Sequence, residues 1–128
     1  KRQSIKFNKA DNFKIIGDRD KLIEIFTNLI DNSIKYSDKN KEITITAKKD
    51  GEFNTVSVRD QGIGIPKESI HRITERFFTV DPSKSRSVGG TGLGLAIVKH
   101  LVSQHRAEMD INSVENEGTT IDIKFNSL

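Results

Sequence analysis

The chain has no cysteine, only two prolines, one tyrosine and one methionine among its 128 residues. Without cysteine there can be no disulfide scaffold, no Cys-ligated zinc and no iron–sulfur cluster, and the composition suits a reducing compartment. No apolar run approaches the roughly 18–20 residues of a membrane span, and residues 1–10 lack the pattern of a secretory signal. Apolar residues are themselves scarce, at 34% of the chain; adding the 9 glycines gives about 41%, against roughly 45–50% in an average globular domain. The core is therefore expected to be thin, with part of the interior or of a cleft polar. Charge of one sign is also missing. Lys and Arg number 21 and Asp and Glu 18, a net +3 interspersed along the chain, which argues against a nucleic-acid surface. The length suits one domain, so the expectation is a single soluble, intracellular domain.

What is present is an alternation of strand and helix patterns. Ser4–Asn8 alternates as a short strand, and Lys14–Ile16 is a second short apolar piece. Asp18 is the expected N-cap of a helix, with Asp20 in its first turn. Leu22, Ile25, Phe26, Leu29, Ile30 and Ile34 then form a wide helical stripe, fraying near residues 37–40. Glu42–Lys49, with Ile43, Ile45 and Ala47 inward, turns at Asp50–Gly51 into Phe53–Asp60, with Val56 and Val58 inward. Pro66 is placed to start a short helix carrying Ile70, Ile73 and Phe77. Residues 79–92 read as a flexible loop by composition. A second long helix is expected from Leu93 to about Gln104, with Ile97 and Leu101 buried. Met109–Val114 and Thr119–Phe125 form a second hairpin around residues 115–118. Two hairpins beside helices predict an α+β two-layer sandwich.

Three features carry chemistry. Glu24, Asn28, Asn32 and Lys35 fall within about 40° of one direction on the first helix, at the edge of its apolar stripe. Asparagine is a mediocre helix former, so the pair is either exposed or capping, or faces a cleft where an amide oxygen and an ammonium suit hydrated Mg²⁺ and phosphate. Asp60 shares strand phase with Val56 and Val58, so its carboxylate points inward and needs hydrogen-bond partners. Gly62 and Gly64 follow it directly, which fits either a plain strand–turn–helix junction or a backbone that approaches a ligand. Gly89, Gly90, Gly92 and Gly94 lead into the second helix, behind Lys84 and Arg86. Such a run is either a hinge or a set of N–H groups offered to phosphate at a helix N-terminus.

A P-loop is excluded because no Gly-Lys pair occurs anywhere. A dinucleotide fingerprint is excluded because the third glycine position holds Lys67, Leu95 or Ile97 in the three possible registers. His71, His100 and His105 share no metal-binding face and read as ordinary helix residues. No serine sits in a nucleophile-elbow pattern. Tyr36 lies beside the apolar stripe and suits either core packing or stacking on a ligand ring.

Taken in order, these motifs resemble the ATP-binding catalytic domain of bacterial sensor histidine kinases, a branch of the gyrase/chaperone/kinase/mismatch-repair ATPase superfamily. Asn28 to Tyr36 looks like the N box, Asp60 to Ile65 the G1 box, and Glu75-Arg76-Phe77-Phe78 the F box. Gly90 to Ile97 looks like the G2 box, and Gly118-Thr119-Thr120 a short G3 element. The resemblance covers residues 4–125 and implies a Bergerat-type sandwich, a mixed sheet of about five strands on about three helices. It implies that Asn32 coordinates Mg²⁺, Lys35 contacts phosphate, Tyr36 lies against the adenosine and Asp60 accepts the adenine amino hydrogens. Asn28 belongs to the same ATP-binding set. Gly62 and Gly64 would shape the base pocket, and Ile65 belongs to the same ATP-binding set. Residues 79–90 would form the ATP lid, mobile without nucleotide, with Lys84 and Arg86 reaching the phosphates. Gly92, Leu93 and Gly94 would present backbone N–H groups to those phosphates, Gly90 and Thr91 belong to the same ATP-binding set, and Thr119 would close the adenine side.

In the gyrase-type and chaperone-type relatives a Glu one turn before the Mg²⁺-binding Asn activates water. Here that position is Asn28, which cannot act as a general base, and Glu24 is a further turn away. The resemblance therefore implies phosphoryl transfer rather than hydrolysis, with ATP and Mg²⁺ as cofactors. No histidine stands in an H-box context, so residues 1–128 read as the catalytic domain alone, without the dimerisation and phosphoacceptor helices. The implied partners are that dimerisation domain and a cognate response regulator. The implied location is the cytoplasmic part of a membrane-anchored receptor, with this chain itself outside the membrane. A Ser/Thr kinase of the anti-sigma type, or a non-catalytic nucleotide-binding module, is the alternative. Where the family often carries glycines after His105, this chain has Arg106-Ala107.

Overall fold

Asp18 starts helix α1 (Arg19–Tyr36) as anticipated: its backbone is extended and its Oδ1 accepts the Lys21 N–H at 3.0 Å. The structure, a computed structural model, describes residues 4–9, 15–37, 41–75 and 94–126. The sequence-predicted loop, Phe77 and Leu93 lie outside these. α1 ends where Ser37 turns extended.

The strands are β1 (Ser4–Lys9), β2 (Glu42–Asp50), β3 (Phe53–Arg59), β4 (Glu108–Val114) and β5 (Gly118–Asn126). They form one sheet in the order β1-β2-β3-β5-β4. β1 runs parallel to β2, and every other neighbour pair is antiparallel. The sheet is thus mixed and five-stranded, as expected. Its register aligns the apolar rows: Ala47 opposes Val56, Val56 opposes Ile123, and Val58 opposes Ile121. A one-residue slip would turn all of these away from the core.

Helices α1 and α2 (Gly94–Gln104) cover one face of this sheet. Ile25 and Leu29 from α1 and Val98, Leu101 and Val102 from α2 meet Ile43, Val58, Ile123 and Phe125 of the sheet in one core. Burial of such side chains stabilises by roughly 1.5–3 kcal/mol each. The opposite face is polar: Ser57 Oγ donates to Asp122 Oδ1, and Lys124 pairs with Asp110 at 2.8 Å. A sheet with one polar face is covered on one side only, which makes the two-layer sandwich.

Three details differ from the sequence expectation. Ile97 is 37% exposed, because α2 turns Val98, Leu101 and Val102 inward to pack on α1 and the sheet together. The segment after Pro66 is a short 3-10 helix (Lys67–Arg72) with no buried residue, and Pro66 stands as its N-cap. His105 lies beyond the last turn of α2 and is no ordinary helix residue: its ring joins α2 to the start of α1. Arg106 follows with φ +54°, and Ala107 N–H donates to Val102 O while Arg106 N–H donates to Ser103 O. These bonds close a Schellman cap with arginine in the left-handed position usually given to glycine.

Candidate functional site

The end of β3 delivers Asp60 inward, as its strand phase requires. Asp60 Oδ1 accepts the N–H groups of Gly62 at 2.9 Å and Thr119 at 3.1 Å, and Oδ2 accepts the Ser33 hydroxyl at 3.3 Å. Asp60 N–H in turn donates to Thr119 O at 2.8 Å. Burial pushes the carboxyl above its ordinary range, and the bonds from Gly62, Thr119 and Ser33 pull it partly back. Asp60 is thus a desolvated carboxylate fixed from three sides, suited to accept a further donor.

The loop after it is held by close approaches. A Cβ on Gly62 would collide with Tyr36 O, and Ile63 N–H donates to that same oxygen at 3.2 Å. Gly64 has φ +71°, and a side chain there would run into Val114 O. Ile65, buried, donates its N–H to Ser113 Oγ at 2.7 Å, and Asn116 N–H reaches Ile63 O at 2.7 Å. Ser113 donates to Gly118 O at 3.0 Å and lies 2.8 Å from Thr119 Oγ1. With the serine proton committed to Gly118, the threonine donates in the last pair. The β4–β5 hairpin is therefore stitched to the Asp60 loop.

A second group lies where α1 meets the start of α2. The space a Cβ would take on Gly94 is 3.6 Å from both Asn28 Oδ1 and Asn32 Oδ1. Two amide oxygens thus stand beside Gly94, the first described residue of α2. Asn28 Nδ2 donates back to Glu24 O at 2.9 Å, which turns its oxygen toward Gly94. Lys35 pairs with Asp31 at 2.9 Å along the helix, a half-exposed contact of the kind that contributes about 0.3–0.5 kcal/mol.

The structure therefore brings Asp60, Gly62, Thr119 and Tyr36 together, brings Asn28 and Asn32 to Gly94, and joins the two groups through α1. Ile65 backs the loop from within. Lys84, Arg86, Gly90, Thr91, Gly92 and Leu93 lie outside the described residues. Sequence reasoning missed Ser33 and Ser113. Ser33 had a signal, since it continues the Ile25–Leu29 row, where an apolar residue is expected. A separate cleft of about 560 Å³ opens between α2, β4 and the 3-10 helix and is lined by none of the site residues named above. Among the described residues no helix is long and apolar enough to cross a membrane, and no group of three His, Cys, Asp or Glu could hold a metal.

Residues 17–127 match the family model described as histidine kinase-, DNA gyrase B-, and HSP90-like ATPase. The chain belongs to that family. It is 42% identical over 106 residues to the sensor histidine kinase WalK of Bacillus subtilis, spanning 81% of this chain and 17% of WalK. It is 38% identical over 122 residues to the sensor-like histidine kinase SenX3 of Mycolicibacterium smegmatis, 95% of this chain and 32% of that protein. The solved mycobacterial sensor histidine kinase MprB superposes with a TM-score of 0.83 at 28% identity, over 97% of this chain and 83% of that one. The chain thus spans a third or less of the two curated relatives, and matches most of the solved one. As an ATPase-family domain it is an ATP-binding module, and the Bergerat-type sandwich expected from its motifs is its fold.

Proposed function

We propose that this domain binds Mg·ATP and gives its γ-phosphate to a histidine on the dimerisation domain of a parent sensor kinase. The observation that carries the reading is the two-ended site along α1. The inward Asp60 carboxylate lies at one end, and the Asn28 and Asn32 oxygens beside the start of α2 lie at the other. Asp60 accepts the adenine amino group, Gly62, Gly64 and Ile65 shape the base pocket, and Thr119 closes it. Tyr36 lies along the adenosine. Asn32 would hold the ion through its amide oxygen, and the bare Gly94 position beside it leaves the space a side chain would fill. Mg²⁺, when bound, neutralises phosphate charge. Lys35 leaves its weak pair with Asp31 to reach phosphate, and Lys84, Arg86 and the backbone of residues 90–94 complete that end.

In the transfer a histidine nitrogen attacks the γ-phosphorus, the bond to the bridging oxygen breaks, and ADP leaves with the electron pair. Positioning and charge neutralisation do most of this work. Asn28, an amide that cannot take a proton from water, stands where the hydrolytic branches carry their Glu, which favours transfer to a protein acceptor. The named relatives are sensor kinases longer than this chain. On this reading residues 1–128 are the catalytic domain, the acceptor histidine lies on a separate domain, a response regulator takes the phosphoryl group onward, and the domain works in the cytoplasm.

The deciding experiment mixes the chain with the parent's dimerisation domain and labelled Mg·ATP. Acid-labile, base-stable label on the acceptor histidine is the expected result. Nucleotide binding with no phosphohistidine would leave a nucleotide-sensing module instead, and acid-stable label would indicate a Ser/Thr kinase.

A further inference from the structure

His105 makes two bonds of opposite sense. Its Nε2 lies 3.1 Å from the backbone N of Asp18, the N-cap of α1, and its Nδ1 lies 2.8 Å from Leu101 O, one turn back in α2. A backbone N–H can only donate, so Nε2 is the acceptor, and Nδ1 must carry the proton it gives to Leu101. The two ring nitrogens thus hold fixed and opposite hydrogen-bond roles. The ring is wedged against the chain before α1: a Cβ on Gly17 would come within 2.6 Å of Cδ2 and 2.8 Å of Nε2.

Helices α1 and α2 run antiparallel, since the end of α2 meets Asp18 while its start meets Asn28 and Asn32. Between them lie Ile25, Leu29, Val98, Leu101 and Val102, whose apolar packing fixes separation but is non-directional. A directional bond at one end fixes how far one helix is slid along the other. Each residue of slippage moves a side chain about 1.5 Å along the axis, and α2 carries that displacement over a length of about 16 Å.

We infer that His105, past the opposite end of α2 from Gly94, is a positioning residue: by accepting the Asp18 N–H it sets the axial register of α1 against α2, and so holds Asn28 and Asn32 opposite Gly94. The consequence for ATP rests on the reading of that amide pair given above; the register itself does not.

The test compares His105→Phe, which keeps a planar aromatic ring and loses both bonds, with His105→Gln, whose amide oxygen can still accept from Asp18. Each is isotopically labelled, and the side-chain amide resonances of Asn28 and Asn32 are followed beside the affinity for a non-hydrolysable ATP analogue with Mg²⁺. The expected result is that His105→Phe shifts both resonances and weakens the analogue about tenfold. His105→Gln should shift them less and stay within about threefold of wild type. Unmoved asparagine resonances in His105→Phe overturn the inference. So do equal shifts in both variants, because ring shape and not the accepted bond would then matter. If His105→Phe fails to fold, Gly17→Ala pushes on the ring while keeping its chemistry, and there too unmoved asparagines overturn it. Resonances that shift in His105→Phe but not in His105→Gln, in a chain that binds no nucleotide, support the register role and remove the ATP reading instead.

Discussion

Replacing Asp60 by asparagine should move stability and nucleotide affinity in opposite directions. The amide oxygen can keep the Gly62 and Thr119 N–H bonds, and the amide nitrogen can donate to Ser33 Oγ, so every contact of the wild-type carboxylate has a replacement. What disappears is the cost of a buried charge. Burial raises the Asp60 carboxyl above its ordinary range, so its contribution to stability is fullest in acid and is lost as pH rises through the folded-state value. Asp60→Asn does not titrate. Its stability advantage over wild type should therefore widen from about pH 4 to about pH 7 in urea unfolding. Affinity moves the other way. The adenine amino group would meet an amide donor in place of a charged acceptor, and a hydrogen bond to a charged group contributes roughly 1.5–3 kcal/mol. That corresponds to a loss of roughly 10- to 150-fold, readable by titration calorimetry with ATP. An Asp60→Asn chain that binds ATP as tightly as wild type would remove Asp60 from the pocket. One that is less stable at every pH would refute the account of its hydrogen bonds.

Asn32→Ala should weaken ATP binding chiefly when Mg²⁺ is present; an equal loss with and without the metal, by calorimetry, argues against a metal role. The chain alone should release little phosphate from ATP, and brisk turnover in a phosphate-release assay would contradict the argument from Asn28. Arg106→Gly should raise unfolding free energy by about 1 kcal/mol, because glycine takes the left-handed position of the α2 cap without the Cβ penalty. No gain in chemical denaturation would mean that the arginine side chain makes up for its backbone. Leu29→Ala, deep in the core, should cost about 2–5 kcal/mol in the same measurement.

What could be read along the chain was whatever depends on near neighbours. The α1 stripe, its Asp18 cap, the two hairpins and the inward turn of Asp60 all follow from periods of 3.6 and 2 and from one capping side chain. The phase of α2 did not follow. Ile97 and Leu101 make as good a row as Val98 and Val102, and only the position of α1 against the sheet decides that Val98, Leu101 and Val102 go inward. The supporting polar bonds were hidden for a related reason. Ser33 reaches Asp60 across 27 residues, Ser113 reaches Ile65 across 48, and His105 reaches Asp18 across 87. A serine or histidine carries no periodic signature of a partner that far away.

These long-range bonds also explain why so sparse a core can hold a two-ended site. From Asn28 to Tyr36, α1 spans about 12 Å, and that separation is set by the helix itself. Nothing in the tertiary structure has to measure it. The rest of the fold need only dock two pieces onto a fixed ruler. The loop after Asp60 docks at one end, through Ile63 N–H on Tyr36 O and the Ser33 hydroxyl on Asp60. Helix α2 docks along the side, through apolar packing and the His105 bond. Each docking contact is short-ranged and individually weak, so a lost contact should loosen one end while the other stays in place. Asp60→Asn and His105→Phe should therefore weaken ATP binding additively, within the few tenths of a kcal/mol expected of independent sites. A strong coupling between them in a double-mutant cycle would mean that α1 is not the rigid ruler this arrangement requires.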